Sequence, residues 1–175
     1  MKTWNIDITH SEIGFKVKHL MVSTVRGSFG VFEGSISAED ETFDNASISF
    51  SADVASLSTK NEGRDAHIHS ADFFDEVQFP KVTFLSTSVK ATGDGNLDIT
   101  GDFTMKGVTK SINLTGKLTG VANDLYGGHV AAFEVSGSIN RQDYGVSWNA
   151  ALEAGGVVVS DTVTLEIVVE VKEQV

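Results

Sequence analysis

Along most of this chain every second residue is apolar, a two-residue period that lets a strand bury one face but does not suit a helix. Trp4, Ile6 and Ile8 alternate with Asn5, Asp7 and Thr9; Ile13, Phe15 and Val17 alternate with Gly14, Lys16 and Lys18. Ala46, Ile48, Phe50, Ala52 and Val54 follow the same rule, as do Val163, Leu165, Ile167, Val169 and Val171 at the far end. Arg64 to Pro80 breaks it. Thr59 followed by Glu62 reads as a capping box that starts a short helix near Lys60. The segment then ends in Phe73, Phe74 and Phe79, closed by the one proline.

One apolar and one polar face on nearly every strand means antiparallel sheet with one side buried and one side wet. About eight such strands close into a barrel, and closure removes the edges that invite aggregation. Beside Gly30 the apolar phase shifts from Phe29 and Val31 to Phe32, Gly34 and Ile36, which predicts a β-bulge where a strand bends. Lys106-Gly107 predicts a tight turn before the pattern resumes at Val108, Ile112, Leu114 and Leu118. The expectation is an all-β, antiparallel eight-stranded barrel with a short helical insertion at about residues 60–75, in a single domain over 1–175. Eleven Phe against two Tyr and two Trp sit mostly at the buried phase. Periodicity alone leaves open whether those rings fill the interior or line a ligand space.

Composition excludes several classes. With no cysteine there are no disulfides, thiolate metal sites or cysteine nucleophiles. A formal charge of -11 argues against nucleic acid and against electrostatic attachment to anionic membranes. No apolar run approaches the roughly 18 residues of a transmembrane segment. Met1 to Thr3 lead straight into strand residues, so the expected location is the cytoplasm.

The histidines raise a metal hypothesis. His67 and His69 are two apart, with Asp72 and Asp75 behind them and His10, His19 and His129 elsewhere. On a helix two such rings diverge by about 200°, so no metal site is expected: His67 packs at the barrel end and His69 faces solvent. No G-x-S-x-G elbow is present, and His10-Ser11 would point to opposite faces of a strand, so no catalytic residues are assigned. Arg64, Asp65, Asp72 and Asp75, with Arg141 and Asp143, read as charge pairs that fix the insertion and the hairpin near Gly145. A sharper alternative has Arg64 or Arg141 meeting a polar ligand head.

Five blocks in order resemble the YceI-like family of lipid- or polyisoprenoid-binding, lipocalin-like proteins. They are WNIDITHSEIGFKVKHL with VRGSFGVFEGSI, then RDAHIHSADFFD with FPKVTFLS, DITGDFTMKGVTKSINL, INRQDYGVSWN and VVSDTVTLEI. The departures are small: His69 stands where a basic residue is expected and Tyr144 where Phe is commoner. The resemblance implies a non-catalytic binder or carrier of a long apolar molecule, a polyisoprenoid, isoprenoid quinone or fatty-acid-like lipid, held in a tunnel without a cofactor. A homodimer is compatible with it. The expected lining is Phe15, Val17, Phe29, Phe50, Phe84, Phe103, Leu114, Phe133, Val135, Leu165 and Ile167, with Phe73 and Phe74 covering one opening. The runner-up is a metal-dependent or hydrolytic enzyme acting on a lipid-like substrate, and a third reading is a filled barrel used as an interaction module.

Overall fold

Where the alternation runs without fault, the computed structural model has strands; it describes residues 1–153 and 155–175. They are β1 (Lys2–His19), β2 (Ser23–Phe29), β3 (Phe32–Ala38), β4 (Ser47–Asp53) and the two-residue β5 (Leu57–Ser58). After the helix α1 (Glu62–His69) come β6 (Lys81–Gly93), β7 (Asn96–Met105), β8 (Val108–Asn123), β9 (His129–Asn140) and β10 (Val159–Glu173). β3, β4 and β6 to β10 pair in antiparallel succession, and β10 closes on β1 from Trp4 opposite Glu173 to His19 opposite Val159. β2 and β3 lie end to end along β1, at Ile13 to His19 and at Lys2 to Asn5 respectively. Counting that pair as one stave gives a closed antiparallel eight-stranded barrel.

The phase shift beside Gly30 is therefore a break in a stave and not a bulge within a ladder. The two residues at the break bond across instead: Gly30 N–H donates to Ser56 O (3.1 Å) and Asp53 N–H to Val31 O (2.9 Å). The Lys106-Gly107 turn is present, with φ of 50° and 74° between paired Met105 and Val108. Both angles are left-handed, as the hairpin turn that matches strand twist requires.

Three expectations for the insertion change. Lys60 has φ 61° and lies outside the helix. Asn61, not Thr59, caps α1, its Oδ1 accepting from Arg64 N–H at 2.9 Å. Thr59 is buried and anchors the helix from below. The helix is also shorter than predicted: Ser70 ends it, and the chain to Gln78 is a series of turns.

The ladders shift register elsewhere, most widely in β1 between Asp7 and Glu12. Asp7 faces Glu170 and the next paired residue, Glu12, faces Val168, so β1 takes five steps where β10 takes two. Ile8, expected inside, is exposed on it. Ser11 replaces the missing ladder bonds, its Oγ accepting from Glu170 N–H (3.0 Å) and donating to Glu170 O (3.3 Å). Asp7 accepts from Thr9 N–H (2.9 Å) and Oγ1–H (2.6 Å), and its Oδ2 lies 3.0 Å from His10 Nδ1.

The Thr9 hydroxyl first, and then His10, hold the Asp7 carboxyl at a pKa of about 2, below its ordinary 3.8. Asp7 chiefly raises the pKa of His10 above its ordinary 6.5. A depressed carboxylate contributes stability above its unfolded value and loses it as pH falls toward 2. A raised histidine contributes below 6.5 and loses that as pH climbs through its folded value. The two contributions overlap between pH 3.8 and 6.5. His10→Gln should flatten the alkaline side of the stability profile in denaturant unfolding. The acid side should persist, because Thr9 still holds Asp7; an unchanged alkaline side would remove His10 from this account.

Candidate functional site

In a closed barrel the buried phase of every stave faces one lumen, and here that lumen is open. It forms a cavity of about 470 Å³ running nearly the length of the barrel. All eleven residues expected to line it do so: Phe15, Val17, Phe29, Phe50, Phe84, Phe103, Leu114, Phe133, Val135, Leu165 and Ile167. The floor is aromatic. Trp4, wholly buried, meets Phe43 (centroids 5.4 Å), which meets Phe133 edge-on (4.8 Å). Phe43 was missed because it stands alone between polar residues in the loop joining β3 to β4, where no alternation flags it.

Inward glycines explain why the rings leave space. Phe15 pairs with Gly27 across β1 and β2, and a methyl group on Gly27 would sit 2.8 Å from Phe15 Cε1. On β7, a methyl on Gly101 would meet Phe84 Cε2 at 2.6 Å. On β9, one on Gly137 would meet Leu114 Cδ2 at 2.5 Å. Each large side chain lies flat on its neighbour's glycine instead of pointing across the lumen. The signal for it in the sequence is glycine at the apolar phase (Gly27-x-Phe29, Gly101-x-Phe103, Val135-x-Gly137).

The opposite end from the floor is the mouth. The helix α1 lies over it, with Gly63, Arg64, His67 and Ile68 facing the cavity and Phe73 and Phe74 beside them. Phe73 is buried, 5.0 Å edge-on from His67 and 5.5 Å from Trp148. Arg64 Nε donates to Thr59 Oγ1 (2.7 Å) and Nη2 to Thr59 O (2.8 Å), while Asp65 accepts from Thr59 N–H (2.9 Å). Of the expected charge pairs, Arg64 and Asp65 are thus joined through Thr59. His67 Nε2 lies 2.8 Å from Asp72 Oδ2. His69, expected in solvent, is less exposed than His67 and turns Nε2 to Leu57 O at 3.0 Å. The two rings diverge onto separate partners.

Arg141 departs most from expectation. Its side chain is 3 % exposed and donates to four carbonyls: Ser160 (2.9 Å), Val146 (2.7 Å), Trp148 (3.0 Å) and Val159 (3.1 Å). Asp143 is not its partner; the carboxylate near it is Asp161, at 3.8 Å. Burial pushes the guanidinium pKa down, with Asp161 opposing that shift. Its role is to gather the segment after β9 and the start of β10 into one wall of the mouth.

The charged and imidazole groups lining the cavity are Lys18, His19, Arg64, His67 and Arg141, all at the mouth. None of the chain's 24 Asp and Glu residues lines it. The lining hydroxyls are those of Ser35 and Ser49, so among the described residues no nucleophile, base and acid face the lumen together. One group of three possible metal ligands, Asp7, His10 and Glu170, has its ligand atoms within 4.8 Å of one another on the bulge, away from the lining residues.

The model of the YceI-like domain matches residues 4–171. The chain belongs to the YceI-like family. A UPF0312 protein of Staphylococcus aureus is 37% identical over 167 residues, covering 95% of both chains. The Campylobacter jejuni YceI protein superposes with a TM-score of 0.78 at 28% identity over 90% of each chain. Burkholderia cenocepacia BcnA shares the fold at 19% identity, with a TM-score of 0.82 over 94% of this chain and 98% of its own. A polyisoprenoid-binding domain from Saccharophagus degradans, implicated in plant cell wall breakdown, superposes at 0.71 with 16% identity over 98% of each. In this YceI-like barrel no helix of the described residues is long and apolar enough to cross a membrane.

Gly27→Ala forces Phe15 off the wall and into the lumen, since the other near contact is the Thr59 methyl at 3.1 Å. Gly27 has no left-handed φ, so alanine suits the backbone and loses less entropy on folding. Melting temperature should change little while affinity for a long-chain lipid probe falls severalfold; unchanged affinity would mean that Phe15 does not set the lumen width.

Proposed function

We propose that this YceI-like chain binds a long apolar lipid in the barrel lumen, sequestering or carrying it without chemical change. The observation that carries this reading is the continuous cavity, mostly apolar from the Trp4–Phe43 floor upward, with its charged and imidazole groups gathered at the mouth. A polyisoprenoid, isoprenoid quinone or fatty-acid-like chain suits such a space, and the Saccharophagus degradans neighbour supports the first of these. Phe133 then closes the binding surface at the floor, the other ten expected lining residues form its walls, and the head group stays at the mouth beside His19 and Arg64. At about 0.8 kcal/mol per buried methylene, a dozen methylenes offset the cost of association. The absence of carboxylates from the lining fits an apolar guest, because an unpaired charge in a dry lumen is costly.

Native mass spectrometry of protein purified without detergent should show added lipid mass. Bare chain mass, together with failure to take up added prenyl lipids or fatty acids, would sink the proposal. Two substitutions then separate lining from support. Phe103 is half-buried and edge-on to Tyr144 at 5.4 Å, with the cavity on its other side. Phe103→Ala should cost the ligand-free protein about 1–2 kcal/mol, since it lacks neighbours toward the lumen. Its main effect should be a smaller lipid-induced rise in melting temperature. Phe133 is part of the floor, so Phe133→Ala should cost about 3–5 kcal/mol with or without ligand. The reverse ranking in denaturant unfolding would show that the solid and open parts of the barrel are assigned the wrong way round.

A further inference from the structure

The turn between β1 and β2 combines two features that a soluble surface ordinarily avoids. Leu20, Met21 and Val22 are consecutive and 41%, 59% and 82% exposed. Val22 N–H donates to His19 O at 3.1 Å around Leu20 and Met21, whose φ angles of 53° and 59° are both left-handed. A turn of this kind favours Asn and Gly, and bulky residues there are outliers. Large apolar side chains are thus held out into solvent on a backbone that disfavours them.

The position of the turn gives it an occupant. It continues directly from lining residues His19 and Val25, and Leu20 N–H donates to the O of Val158, another lining residue, at 2.8 Å. The apolar tip is therefore a lip of the cavity mouth. Val77, 89% exposed, stands on the segment that leads from α1 to β6 at the same end. We propose that this lip inserts into the surface of a lipid bilayer, so that a lipid passes between membrane and lumen without crossing water. The inference rests on the lipid-binding reading above. With a formal charge of -11, attraction to anionic headgroups is not what holds the protein there. Apolar insertion into a zwitterionic surface is, and it is insensitive to salt.

The test is flotation of full-length protein with phosphatidylcholine vesicles, using wild type, Met21→Asp/Val22→Asp and Leu125→Asp/Tyr126→Asp. Leu125 and Tyr126 are even more exposed large side chains, in the turn between β8 and β9 at the floor end. Aspartate tolerates left-handed φ better than methionine, so the lip variant should keep its melting temperature. Wild type and the floor variant should float alike, at low and high salt, and the lip variant should lose about tenfold or more in partitioning. Four outcomes overturn the inference: no flotation of wild type, equal loss in both variants, loss at high salt, or a dimer abolished by the lip variant without flotation. Native mass spectrometry with geranylgeraniol added in solution keeps the readings apart. Failure there strikes the lipid-binding proposal, and uptake there without flotation strikes only the lip.

Discussion

Closure of β10 onto β1 is the constraint from which the rest follows. Once the sheet is sealed, the buried phase of every stave has one lumen to enter, and the volume of that lumen is decided by how far each side chain projects. The glycines opposite Phe15, Phe84 and Leu114 decide it in favour of open space. A chain with the same aromatics and alanine in those places would push its rings toward the barrel axis. The alternation thus specifies the barrel, and a few absent side chains specify the cavity.

The two ends are built by different physics. The floor is an aromatic stack in which Trp4, Phe43 and Phe133 bury one another. At the mouth, a buried apolar cluster around Val54, Tyr144 and Val146 is joined by polar groups that bond to main chain: Arg141 to four carbonyls, Arg64 to Thr59, His69 to Leu57. Helix α1 has no fully buried residue, so its place over the opening depends on those bonds and on Phe73 beside it. Polar bonds of this kind contribute about 1 kcal/mol each because water competes for both partners. Lifting α1 from the mouth is accordingly easier than parting the aromatic floor, which makes the mouth the easier route into the lumen.

Most of the architecture was legible because it obeys one rule. Strand positions and most inward residues follow from a period of two, and the Lys106-Gly107 turn from the glycine that interrupts it. What was not legible depends on contacts distant in sequence. Val31 reads as a strand residue until Asp53 is seen to bond its carbonyl. Ile8 reads as buried until Ser11 is seen to stand in for Glu170's ladder partners. Thr59 and Glu62 fit a capping box, but Asn61 is the better placed acceptor, and Thr59 is drawn inward by Arg64 and Asp65. Arg141 and Asp143 look like a pair only while carbonyls, which leave no trace in a sequence, are ignored.

The cavity also bears on stability. Relative to a filled core, an apolar void forgoes about 24 cal/mol per Å³, so 470 Å³ corresponds to on the order of 10 kcal/mol. That is comparable to the whole stability of an ordinary domain. The ligand-free barrel must therefore be carried by its continuous ladders and by the aromatic floor, with little help from the middle of the lumen. A lipid chain filling that space would restore the missing contacts on half-buried rings that border it, such as Phe103 and Phe50. Ligand and wall would then stabilise each other, and the same void that weakens the empty protein supplies the binding energy.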